Sequence, residues 1–204
     1  MELLDGKKTA ADIKTEITAE VNKMKANKEK VPHLAAIIVG NDGASLTYVG
    51  SKVKACELVG FESTLIKMPS TTSETELLKK IIELNENDDI DGFIVQLPLP
   101  KQIDTQRVLM AIDPSKDVDG FHPVNLGNMI LNLPGFLPAT PAGIMELLKR
   151  NNIKTEGKNC VIIADFGMTA QVDGKAVRIL EQDDTGDKNN EILQGAWSSF
   201  RPKE

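Results

Sequence analysis

His33-Leu34-Ala35-Ala36-Ile37-Ile38-Val39-Gly40, followed by Asn41-Asp42-Gly43-Ala44 and then Ser45-Leu46-Thr47-Tyr48-Val49-Gly50-Ser51-Lys52-Val53-Lys54-Ala55, is the stretch whose reading decides the fold. Leu34 to Val39 is apolar without alternation, as a parallel strand covered on both faces requires. Asn41-Asp42-Gly43 reads as a turn. The residues from Ser45 read as a helix that stops at Gly60. On such a helix Ser45, Tyr48 and Lys52, spaced by three and then four, share one face near the first turn. A helix start carries unpaired N–H groups and a partial positive charge, which sets the electrostatics of a lysine held there. A hydroxyl, a phenol and a lysine on one face at the end of a buried strand form a candidate reaction site. The plain alternative is an amphipathic surface helix whose Lys52 and Lys54 are solvated.

Working outward, Ala10, Ile13, Ile17, Val21 and Met24 recur every three or four residues and predict a long amphipathic helix before the strand. Phe61 to Met68 reads as a second strand. Ser73-Glu74-Thr75-Glu76 fits a capping box, with Leu77, Leu78, Ile81, Ile82 and Leu84 as the apolar face of the helix behind it. Ile90 to Gln96 reads as a third strand, stopped by Leu97-Pro98-Leu99-Pro100 because proline cannot continue a ladder. Val108 to Ile112 suits a short helix broken by Asp113-Pro114. A loop from Ser115 to Pro123 then leads to an apolar stretch ending near Leu133. Ala142 to Arg150 reads as a helix, and Lys158 to Ile163 as a strand. Beyond Ala164 the pattern weakens. Lys175 to Leu180 fits a short strand or a helix fragment, and residues 181–190 are polar and turn-rich.

Strands alternating with helices at this spacing predict an α/β fold, a parallel sheet with helices on both faces. Ligands of such sheets sit beyond the carboxyl ends of the strands. The Tyr48/Lys52 helix follows one such end, Gln96 lies at another, and the loop around Asp117 and Asp119 is expected to close over the same edge. Three separate segments thus converge on one crevice.

Composition narrows the partners. Among 204 residues, the 30 acids against 24 lysines and arginines give a formal charge of −6, which argues against nucleic acid or an anionic membrane as partner. No run approaches a membrane span, and Met1-Glu2-Leu3-Leu4-Asp5-Gly6 does not read as a signal peptide. Cys56 and Cys160 suggest neither a disulfide framework nor a zinc site, but two buried thiols in a cytoplasmic protein.

The chemistry follows from the residue types. Gln96 is a neutral side chain able to orient Lys52 without adding charge. Tyr48 can stack on a flat ring. Asp119 can accept hydrogen bonds from an amino-substituted heterocycle, while Asp117 is expected to stabilise its own loop. This set suits a planar nitrogen heterocycle undergoing proton transfer at a carbon–nitrogen centre. No Ser/His/Asp triad is present, His33 and His122 read as structural, and two aspartates alone make no metal site. Neither glycine-rich phosphate signature follows any expected strand.

These segments resemble the bifunctional methylenetetrahydrofolate dehydrogenase/methenyltetrahydrofolate cyclohydrolase family. The resemblance rests on Leu34 to Ser45, Tyr48-x-x-x-Lys52, Gly92-Phe93-Ile94-Val95-Gln96-Leu97-Pro98-Leu99-Pro100, Lys116 to Asn125, and Pro138 to Gly143, and spans roughly residues 1–163. It implies a folate-binding catalytic α/β domain over 1–157. It also implies NADP as cofactor, homodimers, and a cytoplasmic role in one-carbon metabolism. By position it makes Lys52 catalytic, with Gln96 and Tyr48 beside it. Substrate binding falls to Tyr48, Lys52, Val95, Gln96, Leu97 and Asp119, with Ser45 and Asp117 in support. The reactions implied are oxidation of 5,10-methylenetetrahydrofolate to the methenyl form with NADP, then hydrolysis to 10-formyltetrahydrofolate.

The family follows the Val161–Ile163 strand with a glycine-arginine-serine turn that grips the cofactor phosphate; this chain has Ala164-Asp165-Phe166. The later proline-glycine-glycine-valine-glycine loop and the final helix have no match, and Ala139 stands where cysteine is usual. Residues 158–204 are therefore expected to be a vestigial or replaced start of a truncated Rossmann domain, with no assignable cofactor residues. The alternative expectation is a non-catalytic folate-binding or oligomer-forming fragment.

Overall fold

In the computed structural model, residues 4–157, 168–172 and 175–179 are described. In chain order the elements are α1 (Gly6–Ala26), β1 (His33–Val39), α2 (Gly43–Val59), β2 (Glu62–Met68), α3 (Glu74–Asn85) and β3 (Gly92–Val95). They continue with α4 (Thr105–Ala111), α5 (Pro123–Ile130), α6 (Ala139–Arg150), β4 (Met168–Val172) and β5 (Lys175–Ile179). The chain divides into two units, residues 1–153 and 154–204.

β1 is the middle strand of the first unit's sheet, whose described order is β2-β1-β3, parallel throughout. Its two faces feed two separate clusters, as an unalternating apolar strand demands. Ala35, Ile37 and Val39 pack with Leu77, Ile81 and Leu84 of α3, Phe93 and Val95 of β3, and Val108 of α4. Ala36 and Ile38 pack with Ile94 and with Val49 of α2. Phe93, Ile37, Leu77 and Ile81 are among the largest side chains to be fully enclosed. Each such burial contributes about 1.5–3 kcal/mol as an upper estimate. β2 lies on the other side of β1 from β3 and is correspondingly more exposed.

Beyond β3 the backbone at Asp117 bridges Phe93 in parallel, and the Phe93 N–H donates to the Lys116 carbonyl at 2.9 Å. This short piece approaches so closely because residue 92 is glycine. A Cβ there would meet Val118 Cγ1 at 2.3 Å.

Side-chain caps set the start of most of the described helices. α3 opens with the expected capping box, Ser73 and Glu76 bonding reciprocally. Of its apolar residues Leu77, Ile81 and Leu84 are buried, whereas Ile82 is exposed. α2 is capped by Asp42 and stops at Gly60, whose φ of +87° suits glycine. α6 starts at Ala139, three residues before the expected Ala142. α5 occupies the stretch read only as apolar.

In the second unit β4 and β5 pair antiparallel, which selects the strand over the helix fragment for Lys175 onward. The expected strand Lys158–Ile163, Cys160, the Ala164-Asp165-Phe166 turn and the polar run after residue 180 lie outside the described residues.

Candidate functional site

The helix cap decides where the site residues fall. Asp42 accepts the Ser45 backbone N–H at 2.8 Å, so α2 starts at Gly43. Ser45, buried, belongs to that cap, and its hydroxyl and backbone N–H hold the Asp42 carboxyl below its usual range. Tyr48 and Lys52 share a face of α2, as the spacing requires. Lys52 is nonetheless in the third turn, nine residues past Gly43. The helix-start charge fades within the first turn, so it is not what acts on Lys52.

What acts on Lys52 is the loop beyond β3. Lys52 Nζ donates to Asp119 Oδ1 at 3.2 Å, with both side chains about three-quarters buried (25% and 22% exposed). The same Nζ lies 4.9 Å from the centre of the Tyr48 ring, a cation–π distance. Tyr48 is 55% exposed, which leaves its ring surface open beside a fixed ion pair.

The third segment arrives differently from expectation. Gln96 follows β3 directly, and its backbone N–H extends the pairing to the Ile37 carbonyl at 2.9 Å. Alternation along β3 turns Phe93 and Val95 toward α3 and α4 and Ile94 toward α2, so position 96 falls on the α2 side. Its side-chain amide, however, donates to the Leu97 carbonyl at 2.7 Å rather than engaging Lys52. Val95 buries its side chain in the core, which leaves its backbone as what it can offer a ligand. Leu97 is half-buried and precedes a cis Pro98.

Asp117 is 3% exposed, and its Oδ2 accepts the His122 backbone N–H at 2.8 Å and the Asn125 amide at 3.0 Å. His122 caps α5, its Nδ1 accepting the Val124 N–H at 3.1 Å. His33 pairs its Nε2 with Thr64 Oγ1 at 2.8 Å across β1 and β2. Among the described residues no three His, Cys, Asp or Glu side chains gather as metal ligands. Cys56 is a buried free thiol, and burial pushes its pKa up. No helix among the described residues is long and apolar enough to cross a membrane.

The sequence reading placed Asp42 only in a turn and gave Gly120 and Asn125 no role of their own. Asp42 was findable, because aspartate three residues before a helical serine is a cap signal. Gly120 has φ +69°, and a Cβ on it would lie 2.6–2.8 Å from the Leu137 and Pro138 backbone. No local pattern foretells that approach.

The Ala164-Asp165-Phe166 stretch, where the resemblance would look for the turn that grips the NADP phosphate, lies outside the described residues.

Comparison with known proteins gives the family. The chain is 80% identical over 163 residues to the bifunctional protein FolD of Flavobacterium psychrophilum, covering 80% of this chain and 55% of that one. The crystal structure of the bifunctional enzyme FolD, methylenetetrahydrofolate dehydrogenase/cyclohydrolase, from Campylobacter jejuni matches with TM-score 0.77 and 47% identity. That match covers 80% of this chain and 58% of the other. The Trypanosoma brucei methylenetetrahydrofolate dehydrogenase-cyclohydrolase, solved with NADP and an inhibitor, matches with TM-score 0.74 and 34% identity over 79% and 56% of the two chains. The chain thus spans little more than half the length of these relatives. Residues 4–119, more than half of the chain, match the family described as tetrahydrofolate dehydrogenase/cyclohydrolase, catalytic domain, and the chain belongs to that family.

Proposed function

We propose that residues 1–157 bind a reduced folate at the carboxyl edge of the sheet and that Lys52 serves the hydrolysis of its 5,10-methenyl bridge to 10-formyltetrahydrofolate. The observation that carries this reading is the placement of Lys52 Nζ between the Asp119 carboxylate and the open Tyr48 ring. A pteridine stacked on Tyr48 would offer its amino edge to Asp119, as carboxylates bind paired N–H donors. Its one-carbon bridge would then lie near the amine.

Water adds to the electron-poor bridge carbon, forming a C–O bond, and Lys52 relays a proton away from it. The carbon–N5 bond then breaks, N5 keeps one of the water's protons, and the other leaves to solvent. Gln96 and the Val95–Leu97 backbone border the ring, Ser45 fixes the helix start, and Asp117 supports the loop. Oxidation of the methylene form with NADP is the family's other reaction, and it requires a nicotinamide held against the bridge carbon.

A homodimer in the cytoplasm is the assembly and compartment we assign. The unpaired buried thiol of Cys56 and the exposed Ile130, Leu131, Leu133 and Leu137 support that assignment. The same apolar surface favours the second reading, a folate-binding or oligomer-forming fragment without turnover.

Hydrolysis of 5,10-methenyltetrahydrofolate by the full chain and by Lys52→Ala tests both. The first reading expects the variant to lose about 100-fold or more in rate. Equal rates overturn it. Tight folate binding with no turnover in either protein selects the second.

A further inference from the structure

Three buried polar side chains lie beneath the loop that presents Asp119. Asp117, His122 and Asn125 are 3%, 7% and 3% exposed. The Asn125 amide nitrogen donates to Asp117 Oδ2 at 3.0 Å and to the Pro114 carbonyl at 2.9 Å. One nitrogen therefore ties the chain entering the loop, the turn itself, and the first turn of α5. The turn is closed from above by the Gly120 N–H on the Asp117 carbonyl at 3.1 Å. Gly120 in turn sits against the Leu137–Pro138 backbone. Asp119 lies between these fixed points, and its carboxylate meets Lys52.

We infer that Asn125 is a positioning residue for Asp119: it holds the Asp117 turn at the setting that delivers the neighbouring carboxylate to Lys52 and to the ligand's amino edge. This inference rests on the reading of Asp119 given above. An amide suits the task. It donates two hydrogen bonds without bringing a positive charge that would compete with Lys52 for the loop's carboxylates. Removing it strips a donor from a buried carboxylate and from a buried-side carbonyl together, and the turn must move toward water or toward another donor.

The test compares the full chain with Asn125→Ala, measuring calorimetric binding of tetrahydrofolate and of its 2-desamino analogue, which lacks the group Asp119 would read. Tetrahydrofolate affinity is expected to fall about tenfold or more. The analogue should change by less than about twofold, because it never used Asp119. Crystals of the variant should show Lys52 and Asp119 parted beyond about 4 Å, the limit of an ion pair. Equal losses for both ligands, or an ion pair kept at its original distance, overturn the inference. Should Asn125→Ala not fold, Asn125→Ser keeps one donor and is read by the same pair of ligands and the same distance. If the unaltered chain binds neither ligand, the folate reading fails, while the Lys52–Asp119 separation still decides the positioning role.

Discussion

Lys52 and Asp119 stand 67 positions apart in the chain, and their charged atoms meet at 3.2 Å. One is carried by the third turn of α2 and the other by a loop that runs alongside β3. Neither element contains a reason for the contact; the sheet that seats both on one face does. Asp119→Asn keeps the shape and removes the charge. Because both side chains are about three-quarters buried, its loss should lower stability by about 1–3 kcal/mol. Folate affinity should also drop, by about 10-fold or more, since a charge-assisted pair of hydrogen bonds is replaced by a weaker one. Denaturant unfolding and ligand titration on the same sample separate the two effects, and a stability loss without an affinity loss would remove Asp119 from the site.

Gly120 is the backbone condition for that contact. A side chain there must adopt a φ of +69° and place its Cβ 2.6–2.8 Å from Leu137 and Pro138 backbone atoms. The left-handed conformation costs about 1–2 kcal/mol. The overlap adds roughly 1–3 kcal/mol, because the obstructing atoms are backbone. Gly120→Ala should therefore unfold at clearly lower urea and bind folate more weakly, as the loop shifts Asp119 away from Lys52. An unchanged midpoint would show that the Leu137–Pro138 segment gives way freely.

The two strongest local signals in the sequence were read correctly because their physics is local. Leu34 to Val39 is apolar at every position, and it faces a cluster on each side. Ser73 and Glu76 satisfy one another's orphan donors within four residues. The differences came where a polar contact within a few residues decides, which the apolar pattern does not record. Reading the helix from Ser45 missed the Asp42 cap and so set Lys52 too near the helix start. Gln96 reads in the sequence as a side chain that orients Lys52, whereas in the structure its amide donates to the carbonyl of the next residue. α5 was hidden by Pro123, Asn125, Gly127 and Asn128, poor helix formers whose helix is held by the His122 cap and by burial of Asn125 and Met129.

Gly143 offers the opposite case to Gly120. It lies inside α6, exposed, and a Cβ on it would meet nothing within 4 Å. Gly143→Ala should raise stability by about 0.5–1 kcal/mol, through helix propensity and a less flexible unfolded chain. The check is a higher urea midpoint at unchanged slope. A loss of stability would mean that a neighbouring segment needs that space.

Glu76 gives the acid side of the stability profile a definite sign. The Ser73 backbone N–H, and then its hydroxyl, hold the Glu76 carboxyl below its ordinary value of 4.5. A group whose folded pKa is depressed stabilises the fold above the unfolded value and loses that contribution as pH falls through the folded one. The gap in unfolding midpoint between the unaltered chain and Glu76→Gln should thus stay constant from neutral pH down to the ordinary glutamate value, and close below it. Glutamine can still accept the Ser73 N–H, so what closes is the part owed to the carboxylate's charge, including its interaction with the positive end of α3. Urea unfolding at pH 7, 5, 4 and 3 measures this directly. A gap of the same size at the lowest pH would mean that the neutral hydrogen bond alone holds the start of α3, and that acid unfolding begins at other carboxylates, such as Asp42 under Ser45 or Glu16 under Arg150.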